Sequence, residues 1–286
     1  MRPVRIGIVE YLNTTPLVEG LVDTAGLELV RAVPSRIIDL LRSDRVDIGL
    51  VSLIDTVRCP EPMAILPVGM IGCDGPTLTV RLLSAVPIER ITRVHADTDS
   101  HTSVCLAKIL FDRLTGKTPR FVDYDARERA GEGLQGDEAE PDGSWPESVL
   151  LIGDKVVTDC PSAVRYPYQL DLGDAWHEMT GLPFIYAAWA CRAERADELW
   201  AWAALLDRTR RRNLARPDYV VSKHADGHRW PRDLAREYLG RLLRFDFDAR
   251  AAAAARAFLR LASDAGLAPA REPEIVEIGD FVPTPG

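Results

Sequence analysis

Short apolar runs alternate with helical patterns along most of this chain, and the alternation limits the folds open to it. Apolar runs at 4–9, 27–33 and 46–52 are separated by helical patterns at 16–22 and 35–41. A strand reaches a parallel neighbour only through a crossover connection, which is usually a helix. The alternation is therefore typical of an α/β protein with a largely parallel sheet.

The later part of the chain adds further strands and ends in helices. Apolar runs lie at 63–71, 78–83, 91–95, 120–124, 149–152 and 182–191, and helical spacing is present at 104–114, 194–212, 231–243 and 248–265. The stretch 127–146 is rich in Gly, Asp and Glu, which predicts an exposed, mobile loop. A chain of 286 residues is long enough for two lobes with separate cores.

Composition excludes several classes of protein. A formal charge of −8 and a pI near 5.3 argue against nucleic acid or an anionic membrane as the main partner, because both are negatively charged. No apolar run approaches the roughly 18 residues that a membrane span needs. Glu10 and Asn13 interrupt the N-terminal run too early for a signal peptide, and the five cysteines stand singly, as in reduced proteins. We expect a soluble, cytoplasmic protein.

The first polar cluster follows the first predicted strand. Residues 11–15 place Asn13 and two threonines just before a helix that begins near Pro16. Such residues commonly cap a helix, and capping alone would explain all of them. Ligands of open α/β sheets, however, bind beyond the carboxyl ends of strands, where Asn13 and Ser52 are both expected. Both interpretations of Asn13 stay open on the sequence.

A second polar cluster opens the helical pattern at 104–114. Ser100, His101, Thr102 and Ser103 come directly before that pattern. A helix N-terminus carries partial positive charge and free N–H groups, so it binds a carboxylate without basic side chains. Two such helix starts facing each other across a cleft would suit a small dicarboxylate. We therefore predict a small anionic molecule as the partner.

Two further motifs each have two interpretations. Asp154 follows the run at 149–152 and a glycine, where it could orient a ligand or a neighbouring side chain, or equally be a turn residue or cap the next helix. His224 and His228 would reach one metal ion if they lay on a helix, but Gly227 favours a solvated polar loop. The sequence also lacks a phosphate-binding glycine loop. We expect neither a metal nor a cofactor.

Together, and in this order, these stretches resemble the chorismate dehydratase family of the futalosine route to menaquinone. The matching residues are 11–13 with 16–17, 47–52, 100 with 102–103, 151–154, and 172–173 with 176 and 180–184. The resemblance implies a two-lobed, type II periplasmic-binding-protein-like fold with the ligand cleft between the lobes. We assign 1–90 plus 187–286 to lobe one and 91–186 to lobe two.

The resemblance also implies a reaction and a set of site residues. The family converts chorismate to 3-[(1-carboxyvinyl)oxy]benzoate and water, which is a hydro-lyase reaction without a cofactor. By resemblance, Asn13 and Thr79 would be catalytic and would hydrogen-bond the departing hydroxyl. The implied substrate-binding residues are Ser52, Ser84, Ser100, His101, Thr102, Ser103 and Asp154.

Three departures from the family pattern leave alternatives open. Thr79 stands where the family usually carries a serine, Leu78 replaces a basic residue, and His101 stands where an arginine is common. Positive charge is thereby lost near the expected cleft. One alternative is a non-catalytic cytoplasmic binding protein for a small aromatic carboxylate. The other is the related 1,4-dihydroxy-6-naphthoate synthase, although residues 11–16 lack the Cys-Pro-Asn-Asp type stretch expected there.

Overall fold

The computed structural model describes residues 2–126 and 145–276, which form two β-sheets flanked by helices. The strands are β1 (Val4–Ile8), β2 (Leu27–Arg31), β3 (Ile48–Ser52), β4 (Met63–Cys73), β5 (Val80–Ser84), β6 (Arg93–Asp97), β7 (Arg120–Tyr124), β8 (Ser148–Ile152), β9 (Tyr168–Asp171), β10 (Phe184–Arg192), β11 (Leu243–Arg244) and β12 (Glu274–Ile275). The helices are α1 (Thr15–Val18), α2 (Pro34–Arg42), α3 (Asp55–Arg58), α4 (His101–Thr115), α5 (Lys155–Thr158), α6 (Leu172–Thr180), α7 (Ala196–Leu214), α8 (Pro217–His224), α9 (Arg232–Glu237) and α10 (Ala249–Asp264). A π-helical turn, Tyr238–Leu242, follows α9. Most of the expected loop, residues 127–144, lies outside the described residues.

The two sheets have mixed strand directions. The first has the order β11-β4-β10-β3-β1-β2, with β12 paired to β4. In it β1, β2 and β3 are parallel, whereas β10 is antiparallel to β3 and β4. The second has the order β7-β6-β8-β5-β9, in which β6 is parallel to β7 and β8, and β5 is antiparallel to β8 and β9. The predicted α/β class is confirmed.

The chain passes from the first sheet to the second after β4 and returns at β10. Strand β5 lies within the segment 1–90 that we assigned to lobe one, yet its hydrogen-bond partners are β8 and β9 of the second sheet. The return strand likewise begins at Phe184, three residues before the expected boundary. The division into lobes stays a prediction, and strand pairing moves its first boundary to the segment between β4 and β5.

Local sequence explains where the elements near the cleft begin and end. All five residues of β3 are buried, because the strand lies between β1 and β10 in the first sheet. Helix α4 begins at Ser100, whose side chain accepts a hydrogen bond from the backbone N–H of Ser103. It ends at Gly116, where a φ of 67° suits a residue without a Cβ. The two ends of α4 determine which of its residues face the first sheet.

The C-terminal helices belong to the core rather than to an appendage. Helix α10 packs on β10 and α4, and α7 packs on α1 and β4. Phe184 of β10 lies between Trp176 and Phe258, with ring centroids at 5.3 and 4.9 Å. No helix in the two described ranges is long and apolar enough to cross a membrane. This packing brings the π-helical turn after α9 against the segment that precedes β5.

Candidate active site

A pocket lies between the two sheets, at the carboxyl ends of strands from both. Ligands of α/β sheets bind at this position. The structure brings together Asn13, Ser52, Thr79, Ser100 and Ser103 of the residues expected from the sequence. The full lining is Val9, Tyr11, Asn13, Pro34, Ser52, Ile71, Thr77, Thr79, Val80, Ser100, Ser103, Ile152, Gly153, Tyr186, Ala187, Tyr238 and Leu243.

Asn13, Tyr238 and Thr79 form a hydrogen-bonded group that we call the hydroxyl relay. The Asn13 amide Nδ2 donates to the phenol oxygen of Tyr238 at 3.3 Å, and that oxygen lies 2.6 Å from Oγ1 of Thr79. The Asn13 Oδ1 accepts from the Thr14 hydroxyl at 3.4 Å, which orients the amide. Neither the 3-10 turn at Leu12–Thr14 nor α1 has a side-chain cap. The capping interpretation of residues 11–15 is therefore wrong.

The fold holds Tyr238 rigidly. It opens the π-helical turn Tyr238–Leu242, and its side chain is fully buried. The Trp230 ring stacks on it at a centroid distance of 4.8 Å and an interplanar angle of 18°. Burial raises the pKa of the Tyr238 phenol well above its usual range, so the phenol keeps its proton at neutral pH. π-Helical turns inside helical segments often occur at functional sites.

The N-terminus of α4 contributes Ser100 and Ser103 to the pocket. The Ser100 hydroxyl accepts from the backbone N–H of Ser103 at 3.1 Å and donates to the Ser103 hydroxyl at 2.8 Å. The proton of the Ser103 hydroxyl is therefore left for a ligand. The positive end of the helix dipole faces the same space, which favours an anion there.

Ser52 and the Thr77–Tyr186 pair complete the polar lining. Ser52 is a buried residue that lines the pocket, and its hydroxyl hydrogen-bonds no other residue in the part of the chain that the structure describes. Thr77 donates to the Cys73 sulfur at 3.0 Å, and its oxygen lies 2.7 Å from the Tyr186 phenol. Burial raises the pKa of Tyr186 and raises that of the Cys73 thiol to about 12. The pair is neutral, and Ser52 is free to bind a ligand.

Tyr11 lines the pocket and joins the two lobes. Its hydroxyl donates to Asp99 at 2.6 Å, and Lys155 lies 2.6 Å from both Asp99 and Asp97. Burial raises the pKa of Asp97, and the Lys155 ammonium opposes that rise. The Tyr11 ring also covers Gly153, where an added Cβ would come within 2.9 Å of the ring. Gly153 has a φ of 68°, so both space and backbone require glycine there.

Asp154 lies beside the pocket rather than in its lining. Its carboxylate accepts from the backbone N–H of Leu12 at 3.1 Å and lies 2.8 Å from Nδ1 of His228. It makes no side-chain cap for α5. Asp154 is thus a turn residue, as one interpretation had it, and its carboxylate also orients neighbouring groups. The residue links the loop after β8 to the first lobe.

Ser84 lies too far along its strand to reach the pocket. Thr79 just precedes β5 and Ser84 ends it, so roughly 16 Å of extended chain separates them. The Ser84 hydroxyl is within 2.8 Å of the Ser148 hydroxyl on the paired strand. The prediction that Ser84 binds the substrate is wrong.

His101 and Thr102 also face away from the pocket. Positions 100 and 103 share one face of a helix, whereas positions 101 and 102 point to other faces. The Thr102 hydroxyl accepts from the backbone N–H of Ile54 at 3.2 Å, and His101 Nδ1 lies 2.8 Å from Asp55. The hydrogen bond with Asp55 raises the pKa of His101. Both side chains contact the first lobe, and neither is placed to bind a ligand in this pocket.

The paired histidines are neither a metal site nor a solvated loop. His224 ends α8, and its Nε2 lies 2.6 Å from Glu19. His228 instead faces Asp154. Residues 2–126 and 145–276 contain no group of three or more side chains that could hold a metal ion. The expectation of a polar, solvated loop at 224–228 is wrong, because His224 ends α8, residues 226–228 form a 3-10 turn, and each ring contacts a carboxylate.

Four polar lining residues were not predicted as site residues. Tyr11 stands in a motif that the sequence singled out, and Thr77 and Tyr186 lie in or beside apolar runs that predict strands. No sequence pattern indicates Tyr238 as a site residue, because its contact, Asn13, lies 225 residues away along the chain. Only the packing of the C-terminal helices on the first sheet reveals it.

The described lining has no acidic or basic side chain. Its polar members are tyrosines, serines, threonines and one asparagine. The nearby charges of Lys155, Asp97 and Asp99 are paired with one another. Such a pocket can orient an anion and donate hydrogen bonds to oxygens on which charge develops, but it supplies no base of its own.

Solved structures of low sequence identity share this fold. A protein from Archaeoglobus fulgidus superposes with a TM-score of 0.67 at 14% identity, covering 93% of this chain and 98% of its own. The periplasmic aliphatic sulphonate binding protein SsuA from Escherichia coli gives 0.62 at 14% identity, covering 96% of each chain. Likeness at this identity concerns fold alone. The prediction of a two-lobed, periplasmic-binding-protein-like fold is confirmed.

Sequence relatives extend over most of the chain. Chorismate dehydratase from Thermus thermophilus is 30% identical over 239 residues, which is 79% of this chain and 83% of the relative. Chorismate dehydratase from Campylobacter jejuni is 26% identical over 216 residues, covering 75% and 74%. The model of a family described as menaquinone biosynthesis matches residues 4–264. This chain therefore belongs to the menaquinone biosynthesis family.

Proposed function

We propose that this protein is a chorismate dehydratase, a hydro-lyase that converts chorismate to 3-[(1-carboxyvinyl)oxy]benzoate and water. Membership in the menaquinone biosynthesis family and the two relatives named chorismate dehydratase support this activity. The observation that carries the proposal is a pocket whose described polar lining consists of hydroxyls and one amide. A dehydration driven by aromatisation needs positioning and hydrogen bonds rather than a strong acid or a metal.

Neutral donors would bind the two carboxylates of chorismate. The Ser103 hydroxyl, which accepts from Ser100, would donate to one carboxylate at the N-terminus of α4, and Ser52 would donate to the other. Each hydrogen bond to a charged group contributes roughly 1.5 to 3 kcal/mol. Micromolar binding corresponds to about 8 kcal/mol, so a few such bonds suffice once association costs are met.

The substrate would supply the base. In the proposed step, the enolpyruvyl carboxylate takes the ring proton beside the ether, because the described lining offers no base. The electrons of that C–H bond form a ring double bond as the C–O bond to the hydroxyl breaks. Asn13 and Thr79 hydrogen-bond the departing oxygen as negative charge develops on it. The departing hydroxide then takes the proton from the substrate carboxyl, so water leaves and the carboxylate is restored.

The first test is to incubate purified protein with chorismate in metal-free buffer and to follow products by chromatography and mass spectrometry. We expect a product lighter than chorismate by one water. Asn13→Ala should lower kcat about 100-fold and change KM less than about threefold, since its amide acts on charge present only in the transition state. Asn13→Asp is the shape-matched control, and it should be as inactive because it lacks the donor.

The outcomes separate the candidate functions. Unchanged chorismate that raises the melting temperature of the protein would refute the dehydratase and indicate a binding protein. Unchanged chorismate without such a rise would refute both and direct the assay to the substrates of the naphthoate-forming enzyme. The expected product, formed equally well by Asn13→Ala, would retain the dehydratase and remove Asn13 from its mechanism.

A further inference from the structure

The hydroxyl relay ends on a threonine whose proton has no partner within the described protein. Thr79 is buried and lines the pocket, and the one side-chain hydrogen bond of its hydroxyl within residues 2–126 and 145–276 is to Tyr238. The backbone of Thr79 is fixed as well, because its carbonyl accepts from the N–H of Gly153 at 2.9 Å. The direction of its hydroxyl bond to Tyr238 therefore decides what Thr79 offers a ligand.

The distance between the two oxygens fits either donor, and donor and acceptor chemistry favours one direction. The amide Nδ2 of Asn13 can only donate, so the Tyr238 oxygen accepts from it. The phenol has one proton, and the remaining oxygen within hydrogen-bond reach among the described residues is Oγ1 of Thr79. Tyr238 consequently donates to Thr79. Thr79 is the acceptor in that bond, which leaves its own proton to point into the pocket.

The surroundings of Tyr238 keep this direction constant. The side chain is fully buried, so no solvent competes for its proton, and the Trp230 ring holds the phenol plane. Burial also raises the pKa of the phenol, which keeps it a donor throughout the neutral range. A hydroxyl that accepts a hydrogen bond becomes a better donor, because successive bonds polarise one another.

We propose that Tyr238 is a positioning residue that turns the Thr79 hydroxyl proton toward the departing hydroxyl of the substrate. This inference rests on the proposed function, and it adds a residue of the C-terminal helices to that mechanism. Tyr238 itself touches Asn13 and Thr79 rather than the reacting atoms. No proton transfer through the phenol is required, since the proton that completes the water comes from the substrate carboxyl.

The test compares removal of one hydroxyl at two buried tyrosines. Tyr238→Phe keeps the ring and its stacking on Trp230 but removes the donor to Thr79. The matched control is Tyr166→Phe, because Tyr166 is also fully buried and donates to the carbonyl of Pro146 at 2.7 Å, outside the pocket lining. We expect kcat to fall about 10- to 100-fold in Tyr238→Phe with KM within about threefold, and both constants to be unchanged in Tyr166→Phe.

A double-mutant cycle tests whether Tyr238 acts through Thr79. Thr79→Val removes the hydroxyl that Tyr238 is proposed to orient while keeping the side-chain shape. Adding Tyr238→Phe to Thr79→Val should then lower kcat no further, within about twofold. A merely structural role for the phenol would instead give the same fall in both backgrounds. Urea midpoints of all four proteins establish that each is folded under assay conditions.

The possible failures are distinguishable. If the unaltered protein does not dehydrate chorismate, the proposed function fails and the positioning role in that reaction fails with it. If it does, and Tyr238→Phe keeps kcat within about twofold, the proposed function stands and the inference is overturned. The inference would also be overturned if Tyr238→Phe lowered kcat by the same factor with and without the Thr79 hydroxyl.

Discussion

The neighbours of a buried hydroxyl decide whether it can serve a ligand. Ser84 donates to the carbonyl of Val86 at 2.7 Å, accepts from the N–H of Val86 at 3.1 Å and contacts Ser148. Its hydrogen-bonding capacity is used within the protein. Ser52 is equally buried, but it lines the pocket and has no hydrogen-bond partner among the described residues. A buried hydroxyl without a partner is costly unless a ligand satisfies it.

Removing the Ser52 hydroxyl should weaken substrate binding, whereas removing the Ser84 hydroxyl should lower only the stability of the protein. Ser52→Ala should raise KM for chorismate about 10-fold or more, because it deletes a donor to a carboxylate worth roughly 1.5 to 3 kcal/mol. Ser84→Ala should leave KM and kcat within about twofold and lower the free energy of unfolding by about 1 kcal/mol. Steady-state kinetics and urea titrations of both variants measure this. Equal KM values in the two variants would contradict a role for Ser52.

The site residues that the sequence could predict lie at strand ends, and their position there was more informative than their residue type. Ser52 ends β3, Asn13 and Ser100 follow β1 and β6, and all three line the pocket. His101 was expected beside them, yet one residue along a helix turns a side chain by about 100°. Tyr238 could not be predicted, because its contact with Asn13 depends on tertiary packing that no local pattern encodes.

At the scale of elements, Asp171 ties together the two segments that connect the sheets. It caps α6 by accepting from the backbone N–H groups of Gly173 and Asp174 at 3.0 and 3.2 Å. It also accepts from those of Thr77 and Leu78 at 2.9 and 2.7 Å. Leu78 has a φ of 72°, which is unfavourable for a residue with a branched side chain. The carboxylate thus stabilises the turn that presents the Thr77 and Thr79 side chains.

Loss of that carboxylate should cost more than loss of an ordinary cap. Asp171→Ala is expected to lower the free energy of unfolding by about 2 to 4 kcal/mol, because four N–H groups lose a charged acceptor. The control is Asp174→Ala in the first turn of the same helix, where only the interaction with the helix dipole is lost, about 0.3 to 1 kcal/mol. Urea unfolding at neutral pH measures both. Similar losses in the two variants would show that Asp171 is a simple cap.

Burial explains which elements the sequence could predict. Strands β3 and β8 are buried along their whole length and stand out as apolar runs at 46–52 and 149–152. Strand β9 is an edge strand with two exposed residues, and α6 after it has only nine residues. Neither element was predicted, and for β9 the reason is its short length and half-exposed pattern. The pairing that puts β5 in the second sheet depends on residues far away in the sequence, so the sequence of β5 alone does not predict it.

At the scale of the whole molecule, side-chain contacts join the two lobes on several sides of the pocket. Tyr11 reaches Asp99, and Asp154 receives the N–H of Leu12. The N-terminus of α4 contacts the segment after β3 through a separate pair, His101 with Asp55. The polar groups that do not line the pocket therefore still hold its walls together. The His101–Asp55 contact contains a histidine, which titrates near neutral pH, so the strength of this connection depends on pH in that range.

His101 should make part of the stability of the protein pH-dependent. Its hydrogen bond to Asp55 raises the pKa of the imidazole above the unfolded value of 6.5, and Asp39 raises it further, while burial and Arg58 oppose the rise. The stability from protonated His101 is thus fully present below about pH 6.5 and is lost as pH rises through the higher folded pKa.

His101→Gln should flatten the fall in the free energy of unfolding between about pH 6 and 8.5, measured by urea titration at several pH values. Asp55→Asn should also abolish this fall, because it removes the hydrogen bond that raises the pKa of His101 while burial and Arg58 still lower it. The remaining histidines are present in every protein compared, so their contributions cancel. A pH dependence identical in His101→Gln and the unaltered protein would show that this pair does not link the lobes energetically.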